Sequence, residues 1–564
     1  MDGTRILGLM PPLNYNGNMH PRDCIEQWKL FKQKERVDEV PFPFGFGDGG
    51  GGPTMEMVEY AKRLKNIVGI PKCEFGRMQG CVDRMRTQAG FDALPVFNGE
   101  LYLEYHRGCQ TSQAYTKRHN RKCELLLRDA EFLSSLAFVE GGVYNRQPVY
   151  DAWKLLLTNQ FHDILPGSSI RGVYEDTERD YDRARELASG VATEALAHVL
   201  GRIDTHGEGT PVVVFNTLSW VRTDVVQVET KLPKGGFHVV GPDEEIVPHQ
   251  VVGPRHLLFE ARGLPPLGYA VYRILKGAGE VEDTGCIEAT EKGMQNDFLR
   301  IRFDRQGGLR SVYDKLECRE VLPKGQAAND LQLFDDRPHG NEAWDIDPNF
   351  EDVMWRPEPA ERIEVIENGP VRAVCRIVRK TEKSVITQDV TMHACSPRVD
   401  FVTHVDWHEE RVLLKAAFPI AVRATHATYE IPFGAIERAT HYNTAWDRAR
   451  YEVPAHRWAD LSEGNYGASL LNDCKYGYDT RGNVLRLSLL RAPIEPDPEA
   501  DQGEHDFAYS LYPHGGDWRC GTVQEAHELN CPLIAVAAEA KRGELPPLDT
   551  FGGVDTDHVI IDTV

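Results

Sequence analysis

The sequence has no uninterrupted apolar run near the roughly 18 residues that a membrane-crossing helix needs, so a helical span is excluded. Its opening, MDGTRILGLMPPLNYNG, carries neither a basic stretch nor a long apolar one, which speaks against a secretory signal. No Asn-x-Ser/Thr sequon occurs. Twelve cysteines are scattered without a CxxC pair, so neither a zinc finger nor a disulfide scaffold finds support. Reduced, mostly buried thiols are the expectation. Positive charge is in deficit: 64 Lys and Arg face 86 Asp and Glu, a net charge of −22. So acidic a surface repels phosphate backbones and anionic membrane faces, which excludes nucleic acid as a partner. GxSxG, HExxH and the kinase motifs are absent, removing the commonest hydrolase, metalloprotease and kinase readings.

What is present is a globular composition, 41% apolar and 27% charged over 564 residues, enough for three or four domains. Three regimes follow one another. Residues 1–95 mix loops with helices expected over Met55 to Val68 and Gly76 to Thr87, resembling the end of an α/β domain. Residues 96–205 open on an expected strand, Glu100 to His106. Helices near 111–137, 148–163 and 168–203 follow, with Val149, Trp153, Leu156 and Leu157 as an apolar stripe. Residues 206–564 are short Val-, Ile-, Phe- and Tyr-rich runs broken by Gly, Pro, Asn and Asp, the pattern of β-sandwiches.

Three stretches can carry chemistry. GFGDGGGGPT (Gly45 to Thr54) lacks the lysine of a phosphate loop and reads as a tight turn through which backbone approaches a ligand or another element. Asp48 within it is either a sugar-hydroxyl acceptor or a solvated turn residue. In NQFHDILPGSS, His162 and Asp163 fall in the expected last turn of a helix that Pro166 and Gly167 stop. One His-Asp pair cannot fill a four-ligand metal sphere, and a histidine complementing the helix dipole is the plainer alternative. In GELYLEYHRG, Glu104 and His106 project from the expected strand end, a favoured place for a catalytic carboxylate. The plainer alternative is an exposed Glu104 paired with Arg107.

NGELYLEYHRGCQTSQAYTKRHNRKCELLLRDAEFLSS (98–135) and AWKLLLTNQFHDILPGSSIRGVYED (152–176) resemble the middle-domain opening and the metal-ligand helix of glycoside hydrolase family 38, the α-mannosidases. LMPPLNYNG, GFGDGGGGPT, VVFNTLSW, LQLFDDRPHGNEAWDID and ADLSEGNYGASLLNDCKYGYDTRGNVLRLSLLRAP extend the resemblance along the chain, on the cytosolic and vacuolar side of the family. The resemblance implies a multidomain α+β fold: the C-terminal end of an α/β barrel-like catalytic domain, a three-helix bundle and a large all-β sandwich region. It makes His162 a zinc ligand, with cobalt or another divalent cation as alternatives. Asp163 becomes a mannose-hydroxyl acceptor, and Tyr15 and Asn16, with Asp48, line the sugar pocket. Glu104 takes the general acid/base position, with Glu100 as the fallback.

A retaining glycosidase needs two carboxyl groups about 5–5.5 Å apart. The family's Asp nucleophile and the His and Asp of an HxD motif precede the MPP segment, so the resemblance implies a fragment without them. The activity implied is hydrolysis of terminal α-mannose from oligomannosides, in a cytoplasmic or vacuolar, non-secreted protein that is monomeric or a homo-oligomer. A non-catalytic carbohydrate-binding protein is the rival expectation. The enzymatic reading requires Glu104 and His162 to converge on one sugar-sized hollow.

Overall fold

The computed structural model describes residues 3–48, 50–88, 90–279, 286–556 and 558–563. Its contacts divide the chain into two compact units, Met1–Leu101 and Tyr102–Val564.

The first unit carries helices α1 (Pro21–Leu30), α2 (Met55–Arg63) and α3 (Met78–Arg86). Proline opens α1, where its missing N–H costs nothing. Thr54 caps α2 by accepting from the Met57 N–H at 3.2 Å. Two small cores form, one of Met19, Cys24, Ala61 and Leu64, the other of Val37, Cys81 and Met85. Neither covers Ile6, Met10, Met55 or Val68, which stand in solvent.

In the segment between this unit and the helices, structure and expectation part. Glu100 to His106, expected as a strand, is irregular. Leu101, Leu103 and Tyr105, the expected inward face, are 84%, 59% and 69% exposed. Tyr102 turns inward instead, its hydroxyl donating to the Glu452 carbonyl at 2.6 Å. Alternation marks a strand only where a neighbour supplies the ladder, and among the described residues the first strand begins at Thr210.

Helices α4 (Ala114–Val139), α5 (Arg146–Asn159) and α6 (Arg171–Arg202) pack together around Cys123, Leu127, Ala130, Val149, Leu156 and Tyr181. Leu157 leaves the expected stripe and is exposed, because it lies about 100° around the helix from Leu156. Helix α4 starts from the β region's side of the unit. Gln113 sits in the left-handed region at φ 58°, and Asp501 accepts from the N–H groups of Gln113 at 2.8 Å and Ala114 at 2.6 Å. A carboxylate at a helix N-terminus satisfies donors the helix cannot.

Among the described residues, strands from Thr210 to Thr550 form five sheets of six, five, six, nine and three strands. The nine-stranded sheet contributes Phe401, Trp407 and Tyr509 to the main core, where Phe418 and Leu487 of a six-stranded sheet meet them. Phe401 and Tyr509 are register partners and stack at 5.1 Å. A smaller core of Val212, Val214, Phe259 and Tyr272 joins the other six-stranded sheet to the three-stranded one. Val199 and Ile203 share a further cluster with Val213 and Phe215, so the helical layer is packed onto the β region. The whole is a multidomain α+β chain rich in β-sheet.

Candidate active site

The expected site residues fall in both units, and each group has its own geometry. In the first unit, the segment around Gly17 runs parallel to the segment around Phe44, with Gly17 N–H on the Pro43 carbonyl and Gly45 N–H on the Gly17 carbonyl. Phe46 and Gly52 then exchange backbone hydrogen bonds at 2.8 and 3.0 Å and close the glycine loop. The loop therefore serves the approach of another element. A Cβ on Gly47 would stand 2.2 Å from Asn16 Oδ1, so a larger residue there would displace the Asn16 amide. Gly49 lies outside the described residues. The Tyr15 hydroxyl donates to Asp48 Oδ1 at 3.3 Å, and Asn16 Oδ1 is a buried acceptor without a donor among the described residues. Tyr15, Asn16 and Asp48 are thus brought together.

In the second unit α5 ends at Asn159, so His162 and Asp163 are not in its last turn but in the turn beyond it. The stop comes earlier than Pro166 and Gly167 suggest. Asn159 Nδ2 donates to Asp180 Oδ2 on α6, and Gln160 Nε2 to Glu124 Oε1 on α4, fixing where the chain leaves the helix. The His162 side chain is 76% exposed, its Nε2 3.7 Å from Asp163 Oδ2. Asp163 Oδ1 accepts from Ser168 Oγ at 2.8 Å.

The same turn is fastened to the start of α4. Buried Lys117 donates to the Ser112 carbonyl at 2.6 Å, the Leu165 carbonyl at 2.9 Å and the Pro166 carbonyl at 3.2 Å. Burial pushes the Lys117 pKa down to about 8. Gly167, at φ 90°, presses on Ser112, where a Cβ would come within 2.3 Å of the carbonyl oxygen.

Glu104 lies just upstream, with its side chain in solvent. Its carbonyl oxygen accepts from Arg107 Nη1. Arg107 is buried, and its ion pair is with Asp345 at 3.6 Å rather than with the Glu104 carboxylate; its Nη2 donates to the Ala449 carbonyl at 2.9 Å, and its guanidinium lies 4.4 Å from the Tyr451 ring centroid. Gly108 then passes under Arg491, whose Nη1 would be 2.0 Å from a Cβ there. Fully buried Arg491 donates to Asp336 Oδ2 at 2.5 Å, Ser112 Oγ at 3.0 Å, the Ala343 carbonyl at 3.1 Å and the Asp345 carbonyl at 2.6 Å.

Ser112 is therefore the common anchor: Arg491 holds its side chain, Lys117 its carbonyl, and the His162 turn leans on it through Gly167. Sequence reasoning missed Lys117, Ser112 and Arg491. The two arginines inside the apolar run LRLSLLRAP, Arg486 and Arg491, were the available signal.

A metal is a separate test. Among the described residues no group of three or more His, Cys, Asp and Glu side chains gathers, and the donors at His162 and Asp163 do not fit a four-ligand zinc sphere. A 420 Å³ cavity in the β region, lined by Asp304, Asp330, Gln332, Arg356 and Arg379 among others, includes none of the candidate residues.

Comparison with known proteins follows the same division. Residues 1–100 match the glycosyl hydrolases family 38 N-terminal domain, 104–199 the alpha mannosidase middle domain, and 294–499 the family 38 C-terminal domain. The chain is 37% identical over 547 residues to alpha-mannosidase 2C1 of Homo sapiens, covering 95% of this chain and 50% of that protein. It is 33% identical over 555 residues to an alpha-mannosidase of Saccharomyces cerevisiae, covering 94% and 47% respectively. The chain thus spans about half the length of these relatives. The crystal structure of an alpha-mannosidase from Enterococcus faecalis superimposes with a TM-score of 0.74 at 19% identity, over 89% of this chain and 66% of that one, and shows the same fold. Domain matches in family order along the chain, joined to this identity, place it in glycoside hydrolase family 38.

Proposed function

We propose that this chain supplies the acid/base half of a retaining α-mannosidase site, acting on terminal α-mannose of oligomannosides. The observation that carries the reading is the shared anchor at Ser112, which ties the chain following Glu104 and the turn bearing His162 and Asp163 to one rigid frame. In this reading residues 1–95 are the closing part of an α/β barrel-like catalytic domain, 96–205 a helical-bundle domain and 206–564 a β-sandwich region.

Chemically, Glu104 would protonate the glycosidic oxygen as the bond to the anomeric carbon breaks, then take a proton from the water that attacks it. Asp163, with Oδ1 already bound by Ser168, would offer Oδ2 to a sugar hydroxyl. Within the first unit, Tyr15, Asn16 and Asp48 form a polar group of their own that would suit sugar hydroxyls. His162 would contribute one imidazole to a divalent cation whose other donors lie outside this chain.

Two measurements separate this reading from the carbohydrate-binding alternative. Sequencing the transcript upstream of Met1 should reveal an in-frame extension with an HxD motif and the nucleophilic Asp. Aryl α-mannoside hydrolysis should then be clear for the extended protein and negligible for this chain alone. A stop codon immediately upstream, or an inactive extended protein that still binds mannosides, would favour the binder. Zinc titration of this chain by calorimetry should give no tight stoichiometric binding; a one-to-one site of submicromolar affinity would contradict the single-ligand assignment.

Two histidines, His119 buried and His456 half-buried, make the stability of the fold depend on pH. Burial, with neighbouring arginines, holds His119 and His456 down to about 4. Between pH 6.5 and 4 the unfolded chain binds protons that these folded-state rings refuse, so stability falls with pH across that window. Each histidine is expected to withdraw up to about 3 kcal/mol. Denaturant melts at pH 7.5 and 4.5 should show the loss, and His119→Gln should reduce it. Equal stability at both pH values would refute the assignment.

A further inference from the structure

We propose that Cys24 and Cys73 are an oxidant-reactive dithiol that closes to a disulfide, a modification site on the first unit. Their sulfurs lie 3.9 Å apart, against about 2.05 Å in the bond. Both belong to one packed cluster with Met19, Ala61 and Leu64, so the pair is held in place by α1, by α2 and by the chain after Pro71. Their access differs. Cys24 is 4% exposed on the inner face of α1, whereas Cys73 is half-buried. Small oxidants therefore meet Cys73 first.

The electrostatics run the same way. The two sulfurs shift each other in opposite directions: the Cys24 neighbour lowers Cys73, and Cys73 together with burial raises Cys24. A hydroperoxide is the oxidant class that fits. The Cys73 thiolate attacks one peroxide oxygen, the O–O bond breaks, and Cys73 becomes a sulfenic acid as hydroxide leaves. The Cys24 sulfur then attacks the sulfenic sulfur. The S–S bond forms, the S–O bond breaks, and the departing hydroxide takes the Cys24 proton as water. Two thiols lose two electrons in total, and one peroxide becomes two waters. The bond would close a loop that holds Asp48, the glycine turn and α2, linking the sugar-contact segment to a redox state.

The sequence supplies its own controls. Cys286, Cys318 and Cys520 are exposed and have no part in this pair. The full chain is treated with hydrogen peroxide, alkylated, and digested with trypsin without reduction. The expected product is DCIEQWK joined to CEFGR, two hydrogens lighter than the separate peptides, abolished by reductant and formed at lower peroxide than any oxidation of the three exposed cysteines. C24S should leave Cys73 as a dimedone-trapped sulfenic acid, and C73S should leave Cys24 alkylated only after unfolding. Free, alkylated Cys24 and Cys73 beside oxidised Cys286, Cys318 and Cys520 would overturn the proposal, as would a disulfide from Cys73 to any other cysteine.

Discussion

Replacing Arg491 with methionine is expected to destabilise the second unit by about 3–5 kcal/mol. The side chain has no solvent exposure, and its partner Asp336 is 2% exposed. Burial already pushes the Asp336 carboxyl up, and Arg491 is the charge that opposes this. Methionine matches the volume but leaves the carboxylate alone, together with the Ala343 and Asp345 carbonyls and the Ser112 hydroxyl. The damage is also directional. Gly108 and Ser112 lose the group that fixes the chain downstream of Glu104, so limited proteolysis should open between residues 104 and 113 before the β region is cut. Urea unfolding followed by tryptophan fluorescence provides the free energy. Arg491→Lys restores charge without the fork of donors and should recover part of the loss. A cost below about 1 kcal/mol for the methionine variant would mean that the network is not the frame of the site.

Glu104→Gln, in the upstream-extended protein, is expected to lower turnover of an aryl α-mannoside by about 10²- to 10⁴-fold. Protonation of the leaving oxygen is the assistance removed. A substrate with a highly acidic phenol should therefore lose much less than one with a poor leaving group, and the alkaline limb of the pH profile should disappear. Because the Glu104 side chain stands in solvent and the network around it uses its backbone carbonyl, the variant should unfold at the wild-type denaturant midpoint. Glu100→Gln is expected to change turnover little. If it carries the loss instead, the acid/base residue is four positions upstream and the assignment of Glu104 fails.

Much of the fold could be read from local pattern because the segments involved are long. The periodicity in α4, α5 and α6 runs over three turns or more, and the β-rich runs after Pro211 recur at spacings that helices cannot use. Short segments failed where tertiary partners decide. Leu101, Leu103 and Tyr105 alternate as a strand would, yet among the described residues no strand pairs with them, and the Glu452 carbonyl, 350 residues away, settles the conformation by accepting from the Tyr102 hydroxyl. The end of α5 was misplaced for a related reason. Proline and glycine mark where a helix cannot continue, whereas Asp180 and Glu124 on neighbouring helices fix where this one stops. The chemistry-bearing residue types in the candidate site were visible in sequence. Their supports were not, since Arg491 reaches Ser112 across 379 residues and no spacing records it.

The account rests on Glu104 and His162 serving one sugar. A crystal structure of the upstream-extended protein with a mannose-mimicking inhibitor bound is the most direct test. The account predicts the Glu104 carboxyl within hydrogen-bond reach of the inhibitor's leaving-group side and the His162 imidazole on the same pocket wall. An inhibitor seated against His162 with Glu104 directed away into solvent, or one bound elsewhere on the β region, would contradict it.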